Sequence, residues 1–475
     1  MKLARLVFPP ALVLTLVSCR LSAPEVVSQD CKVNAVPAGF TRIFISSSAH
    51  GGQQSGTSVD DPLDGSSAAK FDFILRTIAD GQRPTWGTQA NIPPQNLIVC
   101  LSGGTFQTNG QYDWRLHVGH TQNIPLGFTV EKNWKIHGRG VDNTKLQLIG
   151  VVQDQFVDKN GASFSGGSNV VIGTHSEDAS GVEISDLTID ANHDQLTSRG
   201  GLPLNVTGIV LRSLEGNHWI HDVNVIGAAG DLGFKSIIYE AFAVQIWGSD
   251  PDPDSHQSTH NLIEGVNVTK PGRAVVSGSA PGGTIDGIVV NNATAEIRHN
   301  LVEGYTIAYG GWIMDQVWFH DNISKGSIYG FNADAVNNNN VILESNQFIH
   351  SARYGIVIGG SGAFNNWSVQ RNTVQMNAAD SLGIVLRGQV RNSVFSDNTI
   401  QSDGNAHNLA AIVSYSSTAG AANVNNSFQH NHIDKSLRID FSQDPNFQNN
   451  CRFQNRDLQG KPRDDFPDNS SAKCR

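Results

Sequence analysis

One short pattern returns along the second half of the chain: an apolar residue, two variable residues, an asparagine, one variable residue and a second apolar residue. It reads Ile297–Asn300–Val302, Leu343–Asn346–Phe348, Val369–Asn372–Val374, Phe395–Asn398–Ile400 and Phe428–Asn431–Ile433. A looser copy is Phe319–Asn322, where Ile323 falls one place early. Successive asparagines are 22, 24, 26, 26 and 33 residues apart. Between the copies runs a second pattern, a small residue followed by an aliphatic strand. Examples are Gly208-Ile209-Val210-Leu211, Ala243-Val244-Gln245-Ile246, Gly287-Ile288-Val289-Val290, Gly355-Ile356-Val357-Ile358, Gly383-Ile384-Val385-Leu386 and Ala411-Ile412-Val413. Each period therefore holds at least two short strands separated by turns. A period of this length, with short strands and no helix, specifies a β-solenoid.

The physical reading is direct. Coils stack ~4.8 Å apart as parallel strands, and the aliphatic positions form one continuous column. The recurring asparagine sits where a strand turns. There it tolerates left-handed backbone geometry, and its amide can hydrogen-bond from coil to coil. Leucine-rich repeats share the period but need a Leu-x-x-Leu-x-Leu pattern, and propeller blades need longer repeats with Trp-Asp signatures; neither is found.

Composition narrows the function classes. With 475 residues, a length prior of ~150 residues per domain suggests about three domains, which a solenoid overrides. The chain is 39% hydrophobic and only 16% charged, with 48 glycines and 42 asparagines, unlike a coiled coil or helical bundle. Net charge is −10 and no Lys/Arg run exists, so no nucleic-acid partner is expected. No apolar run reaches the ~18 residues of an ordinary membrane span.

The amino terminus reads as an export signal. Lys2 and Arg5 precede an apolar run from Leu6 to Val17, and Leu16-Val17-Ser18-Cys19 resembles the bacterial lipobox. That resemblance implies cleavage before Cys19 and lipidation of its thiol. The expected location is then the bacterial outer membrane or the medium, with any membrane attachment through the lipid alone. Export exposes the remaining cysteines to oxidation. Nearness along the chain favours pairing Cys451 with Cys474, which leaves Cys31 with Cys100.

The repeats, together with segments such as Gly103–Thr108 (GGTFQT) and Ile136–Gly140 (IHGRG), resemble the right-handed parallel β-helix proteins of the pectate-lyase-like superfamily. This implies an all-β fold, a single-stranded right-handed parallel β-helix, with an N-terminal capping helix. Ala68 to Ala79 supplies that helix: Phe71, Ile74, Leu75 and Ile78 share one face, Asp64 to Ser67 offer caps, and Gly81 follows. The expected organisation is a signal peptide over 1–18, a linker over 19–40, cap and opening coils over 41–150, the β-helix over 151–433 and a C-terminal cap or tail over 434–475.

Function in a solenoid belongs where turns lengthen. Long connections run from Ala191 to Val206, Gly227 to Phe242, Trp247 to His260 and Lys270 to Asp286. Walls of this kind on neighbouring coils would border a groove. The segment after Trp247, WGSDPDPDSHQSTH, carries Asp250, Asp252, Asp254 and His256. Alternating carboxylates suit a hard cation, so Asp250, Asp252 and Asp254 are candidate Ca2+ ligands. Close carboxylates also divide acid and base roles. The segment distantly resembles the Asp-Pro-His motif of β-helical mannuronan epimerases, with Asp252 standing where that motif has its histidine. Candidate catalytic residues are accordingly Asp250, Asp252, Asp254, His256, Lys235 and Asp286.

A second set comes from strand counting. Arg212, Trp247, Asn291, Gly310, Asp334, Gly359 and Arg387 should line one outward strip. Of these, Arg212, Trp247, Asn291 and Asp334 offer the π-face, donors and acceptors that sugars need. Tyr305, Tyr309, Trp312, Trp318 and Tyr329 cluster nearby in sequence. The expected partner is a polysaccharide. Two classes stay open: an enzyme of lyase, glycoside hydrolase or epimerase type, favoured by long loops with carboxylates, and a non-catalytic glycan-binding or adhesion module, favoured by the lack of an intact catalytic motif.

Overall fold

The computed structural model describes residues 31, 36–49, 52–81, 92–113, 123–151, 156–157, 163–164, 168–174, 179–200, 204–230, 240–248, 258–269, 284–334, 338–377, 381–403, 409–415, 423–444, 447 and 450–469. One coil consists of three short strands, for example Ala293–Arg298, Leu301–Glu303 and Ile307–Trp312. Each pairs in parallel with its counterpart one coil later: Val317–His320, Ile323–Lys325 and Tyr329–Ala333. Repetition of this step builds three parallel sheets, here called first, second and third by their order within a coil. The chain is a right-handed parallel β-helix, as the general handedness of parallel crossovers requires. Inward side chains form one apolar column from Ile43 to Phe466.

The asparagines stand between first- and second-sheet strands, and they are buried. Asn346 donates from Nδ2 to Phe319 O (2.9 Å) and to Asn372 Oδ1 (3.0 Å). Its Oδ1 accepts from Asn322 N (3.1 Å) and Asn322 Nδ2 (3.0 Å). All four amide valences are used, and the same exchange links Asn300 to Asn322 and Asn398 to Asn431. The left-handed backbone expected at these asparagines lies one residue earlier, at His299, Asp321, Ser345, Arg371, Asp397 and His430, with φ between 50° and 56°. The asparagine itself stays extended, which points its amide into the stack. Left-handed asparagines do occur at the corner between third and first sheets, at Asn340, Asn366, Asn392 and Asn425. The looser copy at Asn322 is a full rung: Ser324 takes the inward place between Val302 and Phe348, and Ile323 turns outward.

The small residue that opens each third-sheet strand has a steric cause. A Cβ on Gly355 would lie 2.2 Å from Val374 Cγ1, and one on Gly383 would lie 2.8 Å from Ile400 Cγ2. The first asparagine pattern and the glycine pattern are thus two sides of one contact: the bulky second-sheet residue fills the space the glycine vacates.

The parallel ladders do not stop at Ile433. Arg438–Gln443, Cys451–Phe453 and Arg456–Asp457 add a further coil, with Asn455 as the next rung. Asn469 and Asp468 then accept hydrogen bonds from Arg452 N and Gln454 N, closing the last strand edge. At the other end, helix α1 (Ala68–Ala79) begins at Ser67, whose side chain accepts from Lys70 N. Its Phe71, Ile74, Leu75 and Ile78 are fully buried in the column, with Phe71 edge-on to Phe128 at 5.5 Å. Cys31 is bonded to Cys100. Cys451 is also disulfide-bonded, to a partner outside the described residues. Cys19, Cys474 and the signal segment lie outside them too. No helix among the described residues is long and apolar enough to cross a membrane.

Candidate functional site: the outer face of the third sheet

Side chains alternate along each third-sheet strand. Ile209, Val244, Ile288, Tyr309, Phe331, Ile356 and Ile384 enter the column. Their neighbours make outward rows. The middle row runs Val210–Gln245–Val289–Gly310–Asn332–Val357–Val385–Val413 in strict register. One flanking row is Arg212–Trp247–Asn291–Trp312, resuming at Gly359–Arg387–Tyr415. The other is Phe242–Asp286–Ile307–Tyr329–Tyr354–Leu382–Ala410.

Arg212, Trp247 and Asn291 therefore stand side by side, as the strand count predicts. Gly310 does not belong with them; it pairs with Val289, and Trp312 takes the place beside Asn291. The count fails because Tyr309, not Ile307, is the inward residue of that strand. Tyr309 fits the column because its hydroxyl donates to Asn300 O (2.8 Å) and Ile323 O (2.9 Å). Asp334 follows the end of Tyr329–Ala333, donates its N–H to Gly311 O (3.3 Å) and is exposed. The sequence cluster of aromatics splits three ways. Tyr305 and Tyr309 are core, Trp312 and Tyr329 lie on this face, and Trp318 lies on the outside of the first sheet.

Around Gln245 the face is dense with aromatic and polar groups. The Arg212 guanidinium sits 4.2 Å over the Trp247 ring, which meets Trp312 edge-to-face at 5.9 Å. Phe242 is 6.4 Å from Trp312. Asn291 Oδ1 accepts from Trp312 N (3.1 Å), which fixes its amide in place. Asp286 is only 3% exposed, between Phe242 and Ile307 in register. Gln245 is fully buried, yet among the described residues neither its amide nitrogen nor its oxygen has a hydrogen-bond partner; Asn291 Nδ2 is in the same state. A buried amide left so costs about 1–3 kcal/mol, and folded proteins keep few of them.

Further along the same face lies a second cluster. Arg387 Nη2 donates to Tyr354 OH (2.9 Å), and the Arg387 and Arg353 guanidinium groups each lie 5.0 Å from the Tyr354 ring. Tyr329 adjoins Tyr354 at 5.1 Å, over a floor of Val357, Val385 and Val413. Burial pushes the Tyr415 hydroxyl above its ordinary range, helped by Tyr354, so this phenol stays protonated near neutrality.

Lys235, Asp250, Asp252, Asp254 and His256 lie outside the described residues, and with them the candidate Ca2+ site. Among the described residues no three His, Cys, Asp or Glu side chains converge as metal ligands. Of the predicted acids, Asp286 and Asp334 are described. They sit two strands and about five residues apart, roughly 19 Å at strand spacings of ~4.8 Å and ~3.3 Å per residue, too far for a glycosidase pair. Phe242, Gln245, Tyr354, Arg353 and Tyr415 were not among the sequence candidates. Gln245 did leave a signal: it is a polar residue at a repeat position that holds Val210, Val289, Val357, Val385 and Val413 in other coils.

No protein-family model matches this chain, and no curated protein matches it. Solved structures of similar shape include the A-module of the Azotobacter vinelandii mannuronan C-5 epimerase AlgE6, at 14% identity over 76% of this chain and 90% of that one, with a TM-score of 0.49. A mannuronic acid-specific polysaccharide family 6 lyase from human gut microbiota matches at 13% identity over 88% and 91%, with a TM-score of 0.42. PfbA, a surface adhesin of Streptococcus pneumoniae, matches at 11% identity over 86% and 90%, with a TM-score of 0.33.

Proposed function

We propose that the outer face of the third sheet binds an anionic polysaccharide lengthwise and that Asp286 is the acid–base group of a reaction on a uronate ring. The observation that carries this reading is Gln245, whose amide is buried between Val210 and Val289 without a partner among the described residues. A sugar hydroxyl supplies what it lacks, a donor and an acceptor together. Trp247 and Trp312 offer π-surface to a ring, and Arg212 supplies positive charge for a carboxylate in a water-poor setting. Arg353 and Arg387 extend the cationic track along the stack.

The chemistry follows from one carboxylate. Asp286, as carboxylate, takes the proton on the carbon next to the uronate carboxyl group. The electron pair of that C–H bond moves onto the carboxyl oxygens, while Arg212, two strands and five residues away in register, holds the carboxylate of another ring of the chain. From that state the C–O bond at the neighbouring carbon breaks and its oxygen leaves as a hydroxyl, taking the proton held by Asp286 and giving an unsaturated sugar, or a water on the opposite face returns a proton to the carbon, giving the epimer. A Ca2+ bound by Asp250, Asp252 and Asp254 belongs to the same reading. So does export, with attachment through a lipid on Cys19.

The test is incubation with a panel of uronate-containing polysaccharides, following unsaturated-uronate absorbance and inversion at C5 by proton NMR. Turnover by the wild type that Asp286→Asn abolishes, with binding retained, supports the enzyme. Binding without turnover on every member supports a glycan-binding module instead.

A further inference from the structure

The first sheet carries a duplicated motif on its outer face, away from the proposed groove. Trp219-Ile220-His221-Asp222 and Trp318-Phe319-His320-Asp321 have the same sequence spacing and the same geometry. In each the indole stacks on the imidazole two residues on, at 3.9 Å and 4.0 Å, with interplanar angles of 26° and 29°. In each the following aspartate holds Nδ1, at 3.0 Å and 2.8 Å. In each a glutamate faces Nε2, Glu183 at 3.5 Å and Glu296 at 3.1 Å. Register places both indoles in one row, Trp219–Leu262–Glu296–Trp318, three strand steps and therefore ~14 Å apart. Each is 38% exposed, the most exposed tryptophans among the described residues.

Core packing does not account for two such rings, since both are exposed and each stacks on a histidine set between two carboxylates. Trp219 Nε1 donates to Glu264 Oε1 (3.1 Å), and Glu264 accepts from Arg298 Nε (2.8 Å) between the two motifs. The rings are thus pre-oriented before any partner arrives, which lowers the entropic cost of binding. Between them lie carboxylates and a guanidinium suited to hydroxyl groups. The sign of the face separates it from the groove. Glu183, Glu264, Glu296 and Glu344 line the two outward rows, against Lys135 and Arg298 as fixed cations there. A polyuronate is repelled here, while an uncharged chain is not.

We infer that the two Trp-x-His-Asp modules form a second carbohydrate-docking strip, for an uncharged linear polysaccharide lying along the stack across Trp219 and Trp318. The strip anchors the protein on a neutral glycan while the third-sheet face handles the charged one.

The experiment is affinity gel electrophoresis of the full chain in gels containing hydroxyethyl cellulose, galactomannan, xyloglucan or soluble xylan. The wild type is retarded by at least one of these. Trp219→Ala and Trp318→Ala each weaken that retardation about 10-fold, in line with ~1.4 kcal/mol for one stacking contact. Trp219→Phe keeps most of it. Gln245→Leu leaves it unchanged, so loss of the groove reading and loss of this one are told apart. Unchanged thermal melting of the alanine variants shows that they are folded. The proposal is overturned if no neutral gel retards the wild type, or if retardation persists in the Trp219→Ala/Trp318→Ala double variant.

Discussion

Two buried amides on this solenoid have opposite fates. Asn346, at the corner between first and second sheets, has every donor and acceptor used by its neighbours above and below. Gln245, on the outside of the third sheet, is as deeply buried and has no partner among the described residues. The same repetition produced both positions, but the neighbours of Gln245 one coil away are Val210 and Val289, which offer no amide. The ladder shows what this fold does with an amide kept for stability. Gln245 breaks that rule at the position where aromatic rings and a buried carboxylate gather, which marks it as an amide kept for something else.

The contrast can be broken at its strongest point first. Asp286→Asn should lower turnover on a uronate polymer by at least ~10³-fold if Asp286 is the proton acceptor, with little change in binding. Steady-state and equilibrium measurements on the same variant separate the two. Asn372→Ala should then cost about 3 kcal/mol or more in urea unfolding, because it strands the Leu343 carbonyl and the amides of Asn346 and Asn398. The same loss at the groove should not appear.

Acid provides a third probe, at a buried histidine of the stack. Burial alone holds His218 down at about 3, and its Nδ1 accepts from Val182 N. The unfolded chain binds that proton near its ordinary value of 6.5, so stability contributed by the neutral ring is present above pH 6.5 and lost as pH falls toward 3. His218→Gln should flatten the melting temperature across that window. Glu183 acts lower. Burial raises its carboxyl, but hydrogen bonds from His221 and Lys135 outweigh burial and hold it at about 2, so its contribution is lost between about 4.5 and 2. Melting curves of Glu183→Gln against pH check this. Smallest of the set, Gly383→Ala should cost about 1–3 kcal/mol in urea unfolding, because its Cβ would lie 2.3 Å from the Ala411 carbonyl oxygen and 2.8 Å from Ile400 Cγ2.

Much of the architecture was readable in the chain because a solenoid repeats its contacts at fixed spacing. The asparagine rungs, the small residue that opens each third-sheet strand and the helix from Ala68 to Ala79 leave local signatures, whereas Cys31 with Cys100 was reached as the pair left over once Cys451 was assigned to Cys474. The readings that failed did so where one residue type substituted for another in the column. Tyr309 replaces an aliphatic residue because its hydroxyl finds two carbonyls, and that displaced the outward strip by one position from Trp312. The last rung, Asn455, escaped notice because Arg452 and Asp457 stand where the pattern has apolar residues. At the end of the column Arg452 lies 5.8 Å from the Phe466 ring, so an apolar residue is not required there. The site was less legible still. Arg212, Trp247 and Asn291 were reached by counting and Asp286 as a carboxylate at the end of a long connection, but Gln245 looked like part of a buried strand. Its meaning depends on which face it occupies and on what it fails to touch.

The account stands or falls on titration of one variant. Calorimetric binding of oligomannuronate and oligogalacturonate to the wild type and to Gln245→Leu should show affinity reduced about 10-fold or more in the variant, while its unfolding free energy is equal or higher. Undiminished affinity in a folded Gln245→Leu protein, or a loss of stability like that at Asn372, would make Gln245 a structural residue and remove the groove from the outer face of the third sheet.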